Sequence, residues 1–201
     1  MKIKNKKLFT LLKEIFIKHK LNSKHAEISA RALINAENVG AYGHGLSRLK
    51  MYCDRIKKKL INSNPKIKIK KISRSISLVD AGNAIGFIGG DVGIKQAIKN
   101  AQSSGIGVVA VKNSGHFGLS SFFAEQAVKK NMIVFCFTNA PPALAPYGAK
   151  KSLFGTNPIC FGSPTGSNVP FILDTSVSIT NRGKIRLAAK LGKKISKNTA
   201  L

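Results

Sequence analysis

The chain has 201 residues, 43% of them hydrophobic, with 34 Lys and Arg against 8 Asp and Glu, a formal net charge of +26. That length and composition exclude a disordered or fibrous chain and give room for one substantial core, or one and a small appendage. A mean hydropathy of -0.01, with no apolar run near the roughly 18 residues of a membrane span, excludes a helical membrane protein. So basic a chain raises nucleic acid as a partner. However, its lysines accompany abundant Ile and Asn and spread over the whole length, whereas a nucleic-acid site gathers Arg and aromatics on one element. A solvated basic surface is the preferred reading.

In chain order, "MKIKNKKLFTLLKEIFIKHK" is basic then apolar, but Lys13 and Glu14 interrupt any signal-peptide core. Leu8, Leu11, Leu12 and Ile15 keep helical spacing, so an amphipathic helix in a cytoplasmic protein is expected. Ala26, Ala30, Leu33 and Ala36 predict a second helix from about Ser23 to Val39, stopped by Gly40. After "AYGHG", Leu46, Leu49, Cys53 and Ile56 mark one face of a third. The segment "KKKLINSNPKIKIKK" is a basic, turn-containing connection and sets the expected boundary between an N-terminal helical segment, 1–72, and an α/β domain, 73–201.

Beyond Ser73 the period changes. "SISLVD" reads as a strand, "DAGN" as a turn, and Val92 to Ser103 as a helix through Ile94, Ala97, Ile98 and Ala101. "IGVVAV" is a continuous apolar strand, Leu119 to Lys130 a helix, and "MIVFCFT" another apolar strand. "ICFGS" and "PFILD" are further strands, and "KIRLAAKLG" is a last helix. Apolar strands alternating with helices imply a sheet covered on both faces. Cys53, Cys136 and Cys160 lie far apart without C-x-x-C spacing and read as buried, reduced thiols, so no metal is expected.

Chemistry points to a few positions. His116 in "NSGHFG" follows the carboxyl end of a strand and precedes a helix, where ligands gather in open α/β sheets. The partial positive charge of a helix amino end would help keep it neutral and able to accept a proton, although a turn or capping role is equally open. If the third helix extends back to His44, then His44, Arg48 and Tyr52 fall at i, i+4 and i+8 on one face. Arg48 could then hold a carboxylate in its fork; a solvated helix face is the alternative. "GFIGGDVG" lacks the G-x-G-x-x-G spacing, so a standard Rossmann site is unsupported. Asp174 ends a strand and could orient a cofactor or a histidine, or cap a turn. Thr156 and Asn157 of "FGTNP" could equally serve the loop's own hydrogen bonds.

The ordered motifs "AYGHGLSRL", "NSGHFG", "TNAPPALAPYGAKKSLFGTNPICFGSP" and "PFILDTSVSITNRGKI" resemble the malate/L-lactate dehydrogenase family, which includes ureidoglycolate dehydrogenase and diketogulonate reductase. The resemblance implies an oxidoreductase of 2-hydroxy or 2-oxo acids such as malate or lactate, using NAD or NADP and working as a homodimer. The implied α/β fold has N-terminal helices and a mixed-sheet nucleotide-binding domain unlike the usual Rossmann domain. It also implies His116 as acid and base, His44 as its rival or partner, and Arg48 as carboxylate clamp. Tyr52 and Asn139 are expected beside the substrate, and Asp174, Thr175, Ser176, Thr156 and Asn157 at the cofactor.

Three departures stand out. Gly43 replaces the serine that usually precedes the first histidine, and Thr175-Ser176 replaces the usual Met-Ala. The family also continues well beyond the counterpart of Gly192, so a truncated domain is expected, and a shortened relic without turnover is an alternative reading. A basic nucleic-acid-binding protein is the third.

Overall fold

The computed structural model describes residues 3–178, 180 and 182–196; the end of the lysine-rich tail, 197–201, lies outside the described residues. Helix α1 (Asn5–Lys18) buries Leu12 and Phe16, whereas Leu11, expected on the buried stripe, is 50% exposed. The true stripe is Leu8, Leu12 and Phe16, four residues apart, with Ile15 at its margin. Helix α2 (Ser23–Asn38) opens on Asn22, whose side-chain oxygen accepts the His25 N–H at 2.9 Å. It buries Ala26, Ala30, Leu33 and Ala36, as their spacing predicts, and packs on α1.

The third helix starts later than expected. A turn through His44 leads into a single 3-10 turn, Leu46–Arg48, and only then into α3 (Leu49–Lys57). The cause is local: Glu37 at the end of α2 accepts the Leu46 N–H at 2.7 Å, and Gly45 leaves room for that carboxylate. A methyl group at Gly45 would overlap the Glu37 carboxylate.

Strand β1 (Lys68–Lys71) pairs antiparallel with β2 (Ile76–Ala84), and β3 (Val108–Ser114) pairs parallel on the other side of β2. Part of the basic connection is therefore a strand. "DAGN" is not a turn between elements; it lies within β2 as an irregularity, with Gly82 and Asn83 at φ +59° and +60°. The Asp80 carboxylate accepts the Gly82 N–H at 3.0 Å and holds that kink.

Helix α4 (Gly86–Ser104) begins six residues before the expected Val92, running straight through "GFIGGDVG". Glycine is a poor helix former, but here it permits close contact. A Cβ at Gly93 would sit 2.7 Å from a Val111 methyl, and one at Gly86 would overlap the Gly115 and His116 carbonyls.

Helix α5 (Ser121–Val128) covers a second sheet of β4 (Val134–Phe137), β5 (Ile159–Ser163) and β6 (Phe171–Thr175), antiparallel in that order, followed by α6 (Arg182–Lys190). Both sheets depart from the expectation of two covered faces. β3 is exposed at Val108 and Val111. In the second sheet, Val134 and Cys160 face α5, while Phe135, Phe137, Phe171 and Leu173 on the other side are 49–67% exposed. The apolar run of "MIVFCFT" thus conceals a simple in-out alternation.

That open aromatic face makes a checkable prediction. Nile red carries no charge and so does not respond to lysines; it should fluoresce strongly with the native chain and weakly with the Phe135→Ser, Phe137→Ser double variant. An equal response from both would place the dye elsewhere.

Two core clusters carry the fold. One joins Leu12, Phe16, Leu33, Tyr52 and Ile56 to Ala81, Ile85, Phe87 and Ile88, and so spans both sides of residues 72 and 73. The other joins Ile94, Phe123, Ala124 and Val128 to Val134 and Cys160. The cysteines are free; Cys53 and Cys160 are buried and Cys136 half-buried. Among the described residues no helix is long and apolar enough to cross a membrane.

Candidate active site

A cleft of about 220 Å³ opens where the first sheet, the second sheet and the turn before α3 meet. His44 and Arg48 come from that turn, and His116, Gly118 and Ser120 from the loop between β3 and α5. Ala140 and Thr156 come from the loop between β4 and β5, and Asp174 and Ser176 from the end of β6. Local bonds hold each contributor. The Gly115 N–H donates to the Ala84 carbonyl at 3.2 Å, pinning the loop that carries His116 to the end of β2. Asn157 accepts the Ala140 N–H at 2.9 Å, closing the long Pro- and Gly-containing loop on itself.

The two imidazole rings stack, with centroids 5.8 Å apart and planes 10° from parallel. Nδ1 of His116 lies 2.6 Å from the Tyr52 hydroxyl, which leaves Nε2 as the nitrogen free to exchange a proton with a ligand. One side of His116 is open to solvent and protein crowds the others. That crowding, then the positive potentials of His44, Arg48 and Arg55, pushes its pKa down to about 4. The open side tempers desolvation, but every contribution has the same sign. Burial and Arg48 also lower the pKa of His44, with Asp174 pulling weakly the other way. Both rings are therefore neutral at pH 7.

Arg48 supplies the positive charge. Its Nε donates to the Gly43 carbonyl at 2.7 Å, which leaves the two terminal amino groups to grip an anion end-on. Among the described residues no carboxylate lies within ion-pair distance of it. Asp174 spends one oxygen on the Ser121 N–H, at 2.8 Å, at the start of α5. Its other oxygen remains available to a hydroxyl or amide donor.

A pH prediction follows from His116. Its folded pKa lies below the unfolded value of about 6.5, so between those limits the unfolded chain binds more protons than the folded one. Stability should hold above pH 6.5 and fall as pH drops toward 4. A series of urea melts should show this fall, and His116→Gln should flatten it; parallel slopes for the two proteins would assign the fall to other groups.

Of the expected site residues, the cleft gathers His44, Arg48, His116, Thr156, Asp174 and Ser176. Tyr52 is not on its surface: it is fully buried in the first core cluster and reaches the site only through His116. The i, i+4, i+8 face does not form, because His44 precedes the helix, and Tyr52 instead joins the buried side of α3 with Cys53 and Ile56. Asn139 and Thr175 are exposed and do not line the cleft, and Asn157 acts on its own loop. Sequence reasoning missed Ser120 and the support from Glu37. Gly118, the glycine two residues after the histidine, also lines the cleft; its φ is +77° and a Cβ would sit 2.7 Å from the Phe87 ring.

Fold and cleft together define a class, a mixed α/β protein whose cleft at the strand ends gathers two imidazoles, an arginine and a carboxylate. The chain belongs to the malate/L-lactate dehydrogenase family, whose signature matches residues 3–201. Malate dehydrogenase of Pyrococcus horikoshii is 33% identical over 201 residues, covering 100% of this chain and 56% of that one. (2R)-3-sulfolactate dehydrogenase (NADP(+)) of Chromohalobacter salexigens is 37% identical over 176 residues, 88% of this chain and 53% of its own. The crystal structure of malate dehydrogenase from Entamoeba histolytica superposes with a TM-score of 0.94 at 30% identity, covering 98% of this chain and 55% of the other. The chain thus spans about half the length of the curated relatives it matches.

Proposed function

We propose that this chain serves a dehydrogenase that moves a hydride between NAD or NADP and a small 2-hydroxy or 2-oxo acid such as malate, lactate or sulfolactate. The observation that carries the reading is the convergence in one cleft of two neutral imidazoles, a strand-end carboxylate and an arginine that has no carboxylate partner among the described residues.

Each group has a task there. The terminal amino groups of Arg48 hold the substrate carboxylate, which fixes the adjacent C2 oxygen. His116 faces that oxygen through Nε2, with the stacked His44 beside it as a second imidazole. In oxidation the neutral ring takes the C2 hydroxyl proton there and becomes imidazolium, and in reduction an imidazolium charged from solvent returns it. A nicotinamide ring, when bound, supplies the hydride donor or acceptor. The free oxygen of Asp174 and the hydroxyls of Thr156 and Ser176 suit the amide and ribose groups at the reacting end of such a cofactor. At about 220 Å³ the cleft is below the usual 300–1,000 Å³ of ligand pockets, enough for a small acid and that reacting end.

The test is thermal shift of the purified chain with NADH and, separately, NADPH, alongside cofactor oxidation with oxaloacetate, pyruvate and sulfopyruvate. A melt raised by one cofactor, with oxidation of that cofactor by one acid, is the expected result. A cooperative melt that neither cofactor moves, with no oxidation, would overturn it. The loss of affinity with salt that a phosphate-binding surface shows would favour nucleic acid instead.

A further inference from the structure

Tyr52 does more than fill the core. Its side chain is fully buried, its ring lies against Phe87 with centroids 5.0 Å apart, and its hydroxyl meets Nδ1 of His116 at 2.6 Å. Among the described residues, that nitrogen is the hydroxyl's one hydrogen-bond partner. Burial raises the phenol's pKa far above its ordinary value, so the hydroxyl keeps its hydrogen wherever the protein is folded.

A neutral imidazole has one N–H and one bare nitrogen. If Nδ1 carried the hydrogen, it would donate to the phenol oxygen and leave the buried Tyr52 hydrogen without an acceptor. If Nδ1 is bare, it accepts that hydrogen and the ring's own sits on Nε2. The charged and titratable groups around the ring are His44 from the turn, Arg48 from the 3-10 turn and Arg55 from α3, and all three oppose a proton on it. The doubly protonated ring is therefore scarce at neutral pH, and the choice lies between the two neutral forms.

We propose that Tyr52 is a positioning residue that fixes His116 in the Nε2–H form, so that the resting cleft presents a hydrogen-bond donor suited to the carbonyl of a 2-oxo acid. A 2-hydroxy acid needs a bare Nε2 to receive its hydroxyl hydrogen, and reaching that state requires the ring to change tautomer and the Tyr52 hydroxyl to turn away. The resting site favours the 2-oxo ligand. This consequence rests on the dehydrogenase reading; the tautomer itself does not.

The experiment is long-range proton–nitrogen correlation NMR on the nitrogen-15-labelled chain. It has four histidines, each assignable by one glutamine substitution. Protonated and bare ring nitrogens resonate far apart, so the tautomer of His116 is read directly. The expected result at pH 7 is Nε2–H alone. In Tyr52→Phe, which keeps the ring on Phe87, both tautomers should appear. The His116 pKa should also rise, because the lost bond had favoured the neutral form. Nδ1–H in the unsubstituted chain would overturn the proposal without reference to any variant. So would a folded Tyr52→Phe chain with unchanged tautomer and pKa. A merely structural Tyr52 would move the melt and neither of these. Where the cofactor binds, the Kd ratio of malate to oxaloacetate should shrink severalfold in Tyr52→Phe. A correct tautomer with no cofactor binding would sink the dehydrogenase reading and leave the Tyr52 role standing.

Discussion

Replacing His116 with glutamine should lower kcat for 2-oxo acid reduction by about 10²- to 10⁴-fold, the usual contribution of a positioned acid or base. Glutamine retains a hydrogen-bonding end and similar bulk but cannot exchange a proton at pH 7. KM should move little if, as proposed, the substrate carboxylate is held by Arg48. Steady-state oxidation of NADH or NADPH measures both, and cofactor fluorescence checks that binding survives. The stacking of the rings makes His44 a rival for the proton. A fall of less than tenfold in His116→Gln, with a large fall in His44→Gln, would transfer the role to His44.

The second large effect lies outside the cleft. Gly86, the first residue of α4, faces the carbonyl oxygens of Gly115 and His116, and the methyl group introduced by Gly86→Ala would overlap both. Those neighbours are backbone and cannot swing aside as a side chain would. The loop carrying His116 must shift or α4 must lift off β3. Overpacking of this kind costs about 1–3 kcal/mol, less a few tenths recovered from alanine's better helix propensity. For a chain of this length that lowers the melting temperature by roughly 5 °C. Displacing His116 by about 1 Å should also cost on the order of 10²-fold in rate. Gly166→Ala is the control, since nothing lies within 4 Å of the added methyl. Equal melts and equal rates for the two variants would show that the α4 contact does not position the site.

Gly86 also shows why parts of this protein were legible and parts were not. Alanines at 26, 30 and 36 with Leu33 mark α2 because helical period and burial coincide there. "GFIGGDVG" misleads because propensity counts each glycine against a helix. The compensating benefit, contact with Val111 and with the loop at residues 115 and 116, comes from segments distant in the sequence. "DAGN" misleads in a related way. Its residues do turn the chain, with two positive φ angles, but pairing on both sides keeps the kink inside β2. The lysines of β1 hide a strand whose pairing partner is visible only in the sheet. For the candidate site, the place of His116 after a strand and the nearness of Arg48 to His44 pointed to two residues that the structure brings into one cleft. Tyr52 carried a wrong assignment because the turn at His44, held by Glu37, breaks the helical phase on which that face depended.

The sequence by itself determined the α/β class, the run of helices and strands, and the residue types able to grip a carboxylate and move a proton, since those depend on local period and side-chain chemistry. It also carried the ordered motifs of the family. Only the tertiary structure decided that Tyr52 lies beneath His116, 64 residues away. It likewise decided that Asp174 joins the cleft while Asn139 and Thr175 stay outside, and that an aromatic sheet face stays open. Such relations depend on which distant segments meet, and on the low polarity and nearby charges that meeting creates. It is that meeting which turns an ordinary histidine into one with a pKa near 4.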